Sequence, residues 1–351
     1  SKLYKNLEVF VPCIDNKKFN KNNYNFKVIR YKDLKGKKNI IKRNKFVEKQ
    51  FVKEVLKEDK GLIVNSHFAL STYPLLKICK EKDIDIITHF HGPWALETKV
   101  QYNNLYIKIK YILAKYIEKK VYKQSKKIIT LSEAFKEILI KSYNIKEDKI
   151  VVIPGATDIN KEVLGITKEE AKEKLGWDKN KKYILTIRRL VKRMGIDLYL
   201  DAIKEIDTNG CKFIIGGKGE LRNELEEKAK HIDSEIEFKG YIPDEEIGLY
   251  YRAADLYFLP TIELEGFGLV TIESMGYGTP WIATDVGGSK EIIKDKSIGI
   301  LVKANKEEFK TILDSYIRGE LLLPTEEKLT NTVKNEYNWE KVVQSFLRLI
   351  N

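Results

Sequence analysis

The sequence predicts an α/β protein with two domains, each built around a doubly wound parallel β-sheet. Short apolar runs alternate with helical patterns in the first part of the chain, and a second series of the same kind starts at Tyr183. Between the two series, residues 155–182 carry no strong strand pattern. A chain of 351 residues is also long enough to bury two hydrophobic cores. We therefore expect residues 1–155 to form the first domain and residues 156–334 the second.

Six apolar runs, several bounded by Pro, Gly or Asn, predict the strands of the first domain. They are Leu7–Pro12, Phe26–Tyr31, Gly61–His67, Ile84–His91, Lys127–Ser132 and Lys149–Pro154. The longest helical pattern covers residues 102–127, where Leu105, Ile109, Ile112 and Tyr116 recur at helical spacing among many lysines. This pattern is typical of a core-packed helix with a solvated lysine face, and also of a basic amphipathic helix on a membrane surface.

Five apolar runs predict the strands of the second domain. They are Tyr183–Ile187, Phe213–Ile215, Phe238–Pro243, Leu256–Pro260 and Ile298–Val302. Thr167 followed by Glu170 predicts a capping box at the start of a helix, and Asp244 is expected to cap a later one. An amphipathic helix is predicted at the end of the chain.

The stretch 263–273 combines a strand end, a turn bracketed by Gly266 and Gly268, and a helix that begins near Leu269. Glycines let backbone N–H groups approach a ligand, and the first turn of a helix offers unsatisfied amides and a positive dipole end. The stretch therefore predicts an anion site suited to a phosphate or a diphosphate.

Two carboxylates, Glu265 and Glu273, lie eight residues apart in this stretch. Glu273 falls about one turn into the helix, where its carboxylate can accept hydrogen bonds from vicinal hydroxyls such as those of a ribose. Glu265 lies at the helix mouth, where it can hold the sugar end of the same ligand. The competing interpretation is an ordinary strand–turn–helix crossover with surface glutamates.

The pattern Glu-x7-Glu around Gly-Phe-Gly, followed by residues 274–280 and 284–293, resembles the donor-site signature of retaining glycosyltransferases of the GT-B fold, glycosyltransferase family 4. The resemblance implies two Rossmann-like domains that face each other across a cleft. It implies transfer of a hexosyl group from a nucleoside diphosphate sugar to an acceptor, with retention of anomeric configuration. It also implies that residues 335–351 form a helix that crosses back to the N-terminal domain.

The same resemblance implies which residues form the site. The expected catalytic residues are Glu265, Arg189, Arg193 and His91. The expected donor-binding residues are Gly266, Phe267, Gly268, Leu269, Glu273, Gly217, Gly219, Tyr241 and Ile242. Cations at the end of the strand Tyr183–Ile187 would neutralise a diphosphate. The family has Gly-Arg-Leu there, whereas this sequence has Arg188 in place of the glycine, and Lys192 competes with Arg193 as the second cation.

Three histidines of the first part lie at or near the ends of predicted strands. His91 falls where open α/β sheets bind ligands, and the resemblance implies that it lines the cleft near the transferred sugar. His89 is a weaker candidate for the same role, and His67 is expected near the acceptor side. A packing role is the alternative for each of them.

The beginning of the chain departs from the family pattern. Family members open with a strand and a glycine-rich loop, but this sequence has no glycine before Gly36. The first strand and its loop are therefore expected to be missing. This departure keeps a catalytically inactive relative as an alternative function.

The positive charge is concentrated in the first part of the chain. Residues 1–155 hold 34 Lys and Arg against 16 Asp and Glu, whereas the other 196 residues hold 30 against 35. A basic domain favours anionic partners, so the predicted acceptor is a sugar or a lipid-linked molecule, with an anionic membrane surface as a further partner. A lysine-rich composition from AT-rich coding or a hot habitat competes as an explanation. Nucleic acid is not expected as a partner, although a basic nucleic-acid-binding protein is retained as an alternative function.

Neither a cofactor nor a metal is expected. The diphosphate charge can be balanced by cations and a helix dipole, and Asp83-Ile84-Asp85 is interpreted as a turn rather than a metal site. The three cysteines share no metal-ligand spacing, and no run of about 18 uncharged apolar residues exists. We expect a cytoplasmic protein, with a peripheral position on the membrane as the variant that the basic domain favours.

Overall fold

The computed structural model describes residues 8–13, 27–32, 40–54, 62–101, 105–293 and 296–350. Strands and helices alternate along this part of the chain. Its strands are β1 (Glu8–Cys13), β2 (Lys27–Lys32), β3 (Ile63–Ser66), β4 (Asp85–Phe90), β5 (Lys127–Thr130), β6 (Ile150–Val152), β7 (Lys182–Ile187), β8 (Cys211–Gly216), β9 (Glu235–Gly240), β10 (Leu256–Leu259), β11 (Trp281–Thr284) and β12 (Ile300–Val302).

Most helices of the described residues are two to four turns long. They are α1 (Ile40–Glu54), α2 (Ala69–Thr72), α3 (Leu76–Glu81), α4 (Trp94–Gln101), α5 (Leu105–Gln124), α6 (Glu133–Tyr143), α7 (Lys161–Leu164), α8 (Lys168–Lys174), α9 (Ile196–Ile203), α10 (Arg222–Ala229), α11 (Asp244–Ala253), α12 (Leu269–Gly276), α13 (Ser289–Ile292), α14 (Lys306–Ile317), α15 (Glu326–Glu336) and α16 (Trp339–Ile350).

The described strands form three sheets. One has six strands in the order β12-β11-β10-β7-β8-β9, one has four in the order β3-β4-β5-β6, and β1 pairs with β2. The six-stranded sheet is parallel throughout. The predicted class of two Rossmann-like parallel sheets is confirmed, and each predicted strand overlaps a strand of the structure. The overlap is partial for Phe238–Pro243, since β9 ends at Gly240, and for Ile298–Val302, since β12 begins at Ile300. The short strand β11 was not predicted, because its four residues lie between two stretches that were interpreted only as parts of the family signature.

The six-stranded sheet reverses its winding between β7 and β10. These strands are neighbours, with Ile184 opposite Leu256, although two strands and three helices separate them in sequence. From this pair, β8 and β9 extend the sheet on the β7 side, and β11 and β12 extend it on the β10 side. In open α/β sheets, ligands bind outside the carboxyl ends of the strands at such a switch point. The ends of β7 at Ile187 and β10 at Leu259 therefore mark the position for a site.

The core around this sheet shows why β10 is apolar throughout. All four of its residues are buried, and successive side chains enter opposite cores. Tyr257 and Leu259 belong to the core that contains Trp281. Leu256 and Phe258 belong to the core on the other face. Helices thus cover both faces, which fixes the loops at the strand ends.

Local signals at the helix starts have mixed outcomes. Thr167 and Glu170 form the predicted capping box at the start of α8. Asp244 does not cap α11, because the residue before the helix is Pro243 and Asp244 is already its first residue. Asp244 instead places its charge in the first turn, where the helix dipole favours it.

The chain divides into two compact units. One comprises Ser1–Phe90 and Ile112–Ile129, and the other comprises His91–Tyr111 and Thr130–Asn351. The domain boundaries expected from the sequence, including the assignment of residues 335–351 to the first domain, stay predictions. All contacts of the candidate active site given below are within the second unit.

Candidate active site

The loop between β10 and α12, residues 260–268, is called the glutamate loop here. Leu264 has φ +56°, a left-handed conformation that is strained for a residue with a branched side chain, and it immediately precedes Glu265. Gly268 has φ +86° and is the residue before α12, which begins at Leu269 as predicted. The loop thus presents Glu265 and the start of α12 on the same side of the sheet edge.

A second backbone segment supports the glutamate loop from the end of β11. The amide of Gly288 donates to the carbonyl oxygen of Glu265 at 3.0 Å. A Cβ atom on Gly287, whose φ is +58°, would lie only 2.0 Å from the same oxygen. The loop is therefore held by backbone packed directly on backbone, which only glycine permits at this position.

Glu265 is buried and paired with Arg188. The guanidinium of Arg188 lies 2.6 Å from the carboxylate, with side chains that are 11% and 8% exposed. Thr261 donates its hydroxyl to the same carboxylate oxygen at 3.1 Å. Arg188 therefore neutralises the charge of the Glu265 carboxylate, and the two hydrogen bonds fix its orientation. A buried carboxylate needs such a partner, because burial removes its hydration.

The turn after β7 brings two further arginines to the loop. Arg193 is buried and donates to the carbonyl oxygen of Leu264 at 3.1 Å and to the carboxylate of Glu97 at 3.0 Å. Burial lowers the pKa of the Arg193 guanidinium from its ordinary value. Arg189 is exposed and lies 3.6 Å from the other oxygen of Glu97. Lys192, the alternative second cation, is exposed.

The start of α12 carries polar groups suited to an anion. The first amides of a helix, here those of Leu269 and Val270, have no acceptor within the helix. The hydroxyls of Thr271 and Ser289 are buried, and within the described chain they have no hydrogen-bond partner. Both lie near Gly268, since a Cβ there would be 3.3 Å and 3.7 Å from these oxygens. These donors stand beside the strained glutamate loop.

Glu273 lies farther along α12 and is half-buried. Its carboxylate accepts a hydrogen bond from the hydroxyl of Tyr251 at 2.8 Å. Burial raises the pKa of the Glu273 carboxyl, although this hydrogen bond acts in the opposite direction. Burial, with the nearby Tyr257 and Glu273 groups, raises the pKa of Tyr251 well above its ordinary value. Tyr251 therefore remains a hydrogen-bond donor that orients the carboxylate.

The glycines after β8 allow this turn to pack closely on the backbone of the turn after β7. A Cβ on Gly217 would lie 1.8 Å from the carbonyl oxygen of Arg188, and one on Gly219 would lie 2.1 Å from that of Leu190. This turn therefore rests directly on the segment that carries the arginines. The structure thus places both glycines beside the expected donor site.

The other expected donor-binding residues differ in what they expose. Phe267 is buried, and its ring meets the ring of Tyr337 edge to face, with ring centroids 5.8 Å apart. Ile242 is also buried, whereas Tyr241 is 57% exposed with the ammonium of Lys218 over its ring. Leu269 is 39% exposed at the start of α12.

The histidines lie at or near the ends of β3 and β4. His91 is exposed and directly follows β4, three residues before α4, the helix that carries Glu97, begins at Trp94. His89 and His67 stack on each other in the first unit, with ring centroids 4.4 Å apart. Burial lowers the pKa of His67. The roles assigned to the three histidines stay predictions.

Several residues at this site were not singled out from the sequence. Arg188 and Glu97 form ion pairs with expected site residues. Phe135 contacts Gly266, since a Cβ there would lie 2.8 Å from its ring, and Glu291 accepts from the amides of Glu133 and Ala134 at the start of α6. The replacement of a family glycine by Arg188 was a usable signal. The others depend on contacts between residues far apart in sequence.

Comparison with known proteins identifies the family. Residues 6–161 match Glycosyltransferase Family 4, and residues 167–339 match Glycosyl transferases group 1. The uncharacterized glycosyltransferase MJ1178 of Methanocaldococcus jannaschii is 31% identical over 290 residues, which cover 82% of this chain and 74% of MJ1178. The chain belongs to the GT-B glycosyltransferases of the family 4 type. The resemblance inferred from the sequence is thereby confirmed.

Two characterised relatives of this family 4 chain act on lipids or lipid-linked glycans by name. The UDP-Gal:alpha-D-GlcNAc-diphosphoundecaprenol alpha-1,3-galactosyltransferase of Escherichia coli is 27% identical, over 84% of this chain and 73% of its own. The alpha-monoglucosyldiacylglycerol synthase of Streptococcus pneumoniae is 29% identical, over 68% of this chain and 55% of its own. The chain spans 47% of another relative, the uncharacterized glycosyltransferase MJ1607 of M. jannaschii, which is 32% identical over 51% of this chain.

Solved structures share the GT-B fold of this family 4 chain. Sucrose-phosphate synthase from Thermosynechococcus elongatus superposes with a TM-score of 0.78 at 19% identity, over 97% of this chain and 87% of its own. Anabaena HepE, solved in complex with UDP and glucose, gives 0.73 at 15% identity, over 92% and 86%. Within the described residues, no group of three or more His, Cys, Asp and Glu side chains is placed to hold a metal ion.

Proposed function

We propose that this protein is a retaining glycosyltransferase that moves a hexosyl group from a nucleoside diphosphate sugar to an acceptor. The observation that carries the proposal is the convergence of three kinds of group at the switch point of the six-stranded sheet. These are the amides at the start of α12, the arginines after β7, and two carboxylates set eight residues apart. A diphosphate needs the first two, and a nucleoside and a sugar each need hydroxyl acceptors.

The proposed roles follow from position. The amides of Leu269 and Val270, with Arg189 and Arg193, bind the diphosphate and stabilise the charge that develops when it leaves. Glu273, oriented by Tyr251, accepts hydrogen bonds from the ribose hydroxyls. Glu265 holds the sugar end, and the acceptor attacks the face from which the diphosphate departs. Because protein cations and the helix dipole balance the leaving charge, the proposal includes activity without a divalent metal.

Relatives suggest where to look for the donor. HepE was solved with UDP, and the E. coli relative uses UDP-Gal by name. Uracil is therefore the first base to test. Tyr241 and Ile242 follow β9 beside the glycine turn, and we propose that their backbone contacts the base.

A lipid or lipid-linked acceptor at an anionic membrane surface is the second part of the proposal. None of the described helices has both the length and the apolar composition needed to cross a bilayer. The first unit does expose apolar side chains on α5, with Ile112 at 65%, Leu113 at 52% and Tyr116 at 50%. Exposed lysines follow on the same helix, and a pocket of about 440 Å³ beside Tyr116 is lined partly by Lys45, Lys77 and Lys120. Apolar side chains within a basic surface suit the interface of an anionic bilayer.

A thermal-shift panel tests the donor site. UDP, GDP, ADP and their hexose conjugates are added without divalent metal to the wild type, to Glu273→Ala and to Tyr251→Phe. We expect one nucleotide to raise the melting temperature of the wild type. This shift should be lost in Glu273→Ala and reduced in Tyr251→Phe, which keeps the carboxylate but removes its orienting hydrogen bond.

The opposite result is equally informative. If no nucleotide shifts the folded wild type, the proposed transferase activity fails for this chain, and a catalytically inactive relative becomes the better explanation. If a nucleotide shifts Glu273→Ala as much as the wild type, the ribose role of Glu273 is wrong. Activity that disappears in EDTA and returns with Mg²⁺ would contradict metal independence.

A further inference from the structure

Glu97 links the two arginines that are proposed to bind the diphosphate. It lies on the first turn of α4, and its side chain is 25% exposed. One carboxylate oxygen is 3.0 Å from Arg193, and the other is 3.6 Å from Arg189. Both arginines and Glu97 belong to the second unit. A single carboxylate therefore stands between two cations that follow β7.

The two arginines are held to different degrees. Arg193 is buried, and it binds both Glu97 and the carbonyl oxygen of Leu264. Its own carbonyl oxygen also accepts from the amide of Ile262 at 2.9 Å. Arg189 has a 60% exposed side chain and reaches Glu97 only at 3.6 Å. Arg193 thus braces the glutamate loop, while Arg189 can turn toward a ligand with little loss.

The charges of the group show what Glu97 contributes. Three arginines, at positions 188, 189 and 193, face the carboxylates of Glu97 and Glu265. Arg188 is already neutralised by Glu265. Without Glu97, Arg189 and Arg193 would be two like charges left uncompensated in a partly buried place, which is costly.

We propose that Glu97 is the resident counter-ion of the arginine pair, and that it stands in for the donor diphosphate while the site is empty. This inference rests on the proposed function. When the diphosphate arrives, Arg189 exchanges Glu97 for a phosphate oxygen, whereas Arg193 keeps its bonds to Glu97 and Leu264 and attracts the diphosphate through its positive charge. Glu97 is a positioning residue, because it acts on the ligand through the arginines. The same carboxylate repels the diphosphate and so favours its release after transfer.

Calorimetric titration with pyrophosphate tests this exchange, because pyrophosphate carries the diphosphate charge without a base or a sugar. The proteins are the wild type, Glu97→Gln and Glu97→Asp, with UDP, GDP and ADP titrated in parallel. Glu173→Gln removes the same charge from an exposed pair with Lys179 and serves as the matched control. Melting curves establish that each variant is folded.

We expect Glu97→Gln to bind pyrophosphate about tenfold more tightly than the wild type, because a repelling charge has been removed. Its affinity should also fall more steeply with salt, since the site gains net positive charge. Glu97→Asp, which keeps the charge, and Glu173→Gln should not bind more tightly. A residue that only stabilised the fold would weaken binding when replaced.

The outcomes separate this inference from the proposed function. Nucleotide binding by the wild type with no tightening in folded Glu97→Gln overturns the counter-ion role and leaves the transferase intact. Tighter pyrophosphate binding in Glu97→Gln, with no nucleotide bound by any variant, supports the counter-ion role and overturns the transferase. If neither pyrophosphate nor nucleotide binds to any variant, both the counter-ion role of Glu97 and the proposed transferase activity are contradicted.

Discussion

Glu273 shows how one side chain can combine a structural cost with a function. Its carboxylate is half-buried on α12, and among the described residues it accepts one hydrogen bond, from the hydroxyl of Tyr251. Burial disfavours the charged form, yet the charged form is the one that accepts two ribose hydroxyls. Ionisation of Glu273 therefore becomes more favourable when a ligand supplies the hydrogen bonds that burial took away.

This conflict predicts a pH dependence with a definite sign. Because burial raises the pKa of Glu273 above its ordinary 4.5, the unfolded chain releases this proton first as the pH rises. The contribution of Glu273 to the free energy of unfolding is therefore greatest below pH 4.5, and falls as the pH rises to the raised pKa. Urea denaturation across this window should show the wild type losing stability relative to Glu273→Gln as the pH rises, because Gln resembles the protonated carboxyl and does not ionise.

Glu173 provides a control of opposite sign. Its hydrogen bond with Lys179 lowers the pKa of its carboxyl, so its contribution to the free energy of unfolding is gained as the pH rises and lost in acid.

Nucleotide affinity should also fall in acid for the wild type, as the Glu273 carboxylate protonates. A wild type and Glu273→Gln pair that respond to pH in parallel would contradict the assignment.

At the arginine turn, the sequence and the structure give different detail. The sequence was sufficient to place cations after β7, since Arg188, Arg189 and Arg193 directly follow an apolar strand. It did not show which of them is neutralised internally. Arg188 pairs with Glu265, and Arg193 with Glu97, across 77 and 96 residues of sequence. Such pairing depends on the sheet order, which no local pattern records.

The helix α6 is attached to the donor edge by its amino terminus. Ser132 caps it by accepting from the amide of Phe135 at 3.1 Å. Glu291 accepts from the amides of Glu133 and Ala134 at 2.7 and 2.8 Å. The ring of Phe135 then lies against Gly266 in the glutamate loop. One helix end is thus capped by its own chain neighbour and by a residue of α13.

Replacing the two caps separately should distinguish helix stability from loop position. Ser132→Ala should lower the free energy of unfolding by about 1 kcal/mol. Glu291→Gln should lower it by about 1 to 2 kcal/mol, because it weakens charge-assisted bonds at the positive end of the helix. Only Glu291→Gln should also weaken nucleotide binding, since Glu291 belongs to the segment that holds the glutamate loop. Urea denaturation and calorimetry on both variants measure the two effects.

Equal losses of nucleotide affinity in the two variants would show that α6 affects the site only through stability.

The helices and strands themselves were predictable from the sequence, because apolar alternation, capping residues and glycine turns are local signals. The cap supplied by Glu291 was not, since donor and acceptor are more than 150 residues apart in sequence.

The charge of the chain is distributed unevenly along its length. The excess of Lys and Arg lies within residues 1–155, and the exposed apolar face of α5 lies in the same part. Charge alone would draw many proteins to an anionic surface. An apolar face adds a second term that salt does not screen.

Vesicle sedimentation can separate the electrostatic and the apolar contributions to membrane binding. We expect binding to vesicles with anionic lipid, weaker binding to neutral ones, and a residual component in high salt. The triple variant Ile112→Ser, Leu113→Ser, Tyr116→Ser should bind at least about tenfold more weakly, because three side chains no longer enter the interface. Leu322→Ser, at a residue 96% exposed in the second unit, serves as control. Unchanged binding by the triple variant would contradict the role of α5.

The glycines at the donor edge limit how this enzyme can be altered by directed evolution. Backbone lies on backbone at Gly217, Gly219 and Gly287, so a library that randomises these positions would return mostly inactive clones. Tyr241 and Leu269 are the expected donor residues with substantially exposed side chains and no such restriction. Variation aimed at a new donor should therefore begin with these two residues and leave the turns around them fixed.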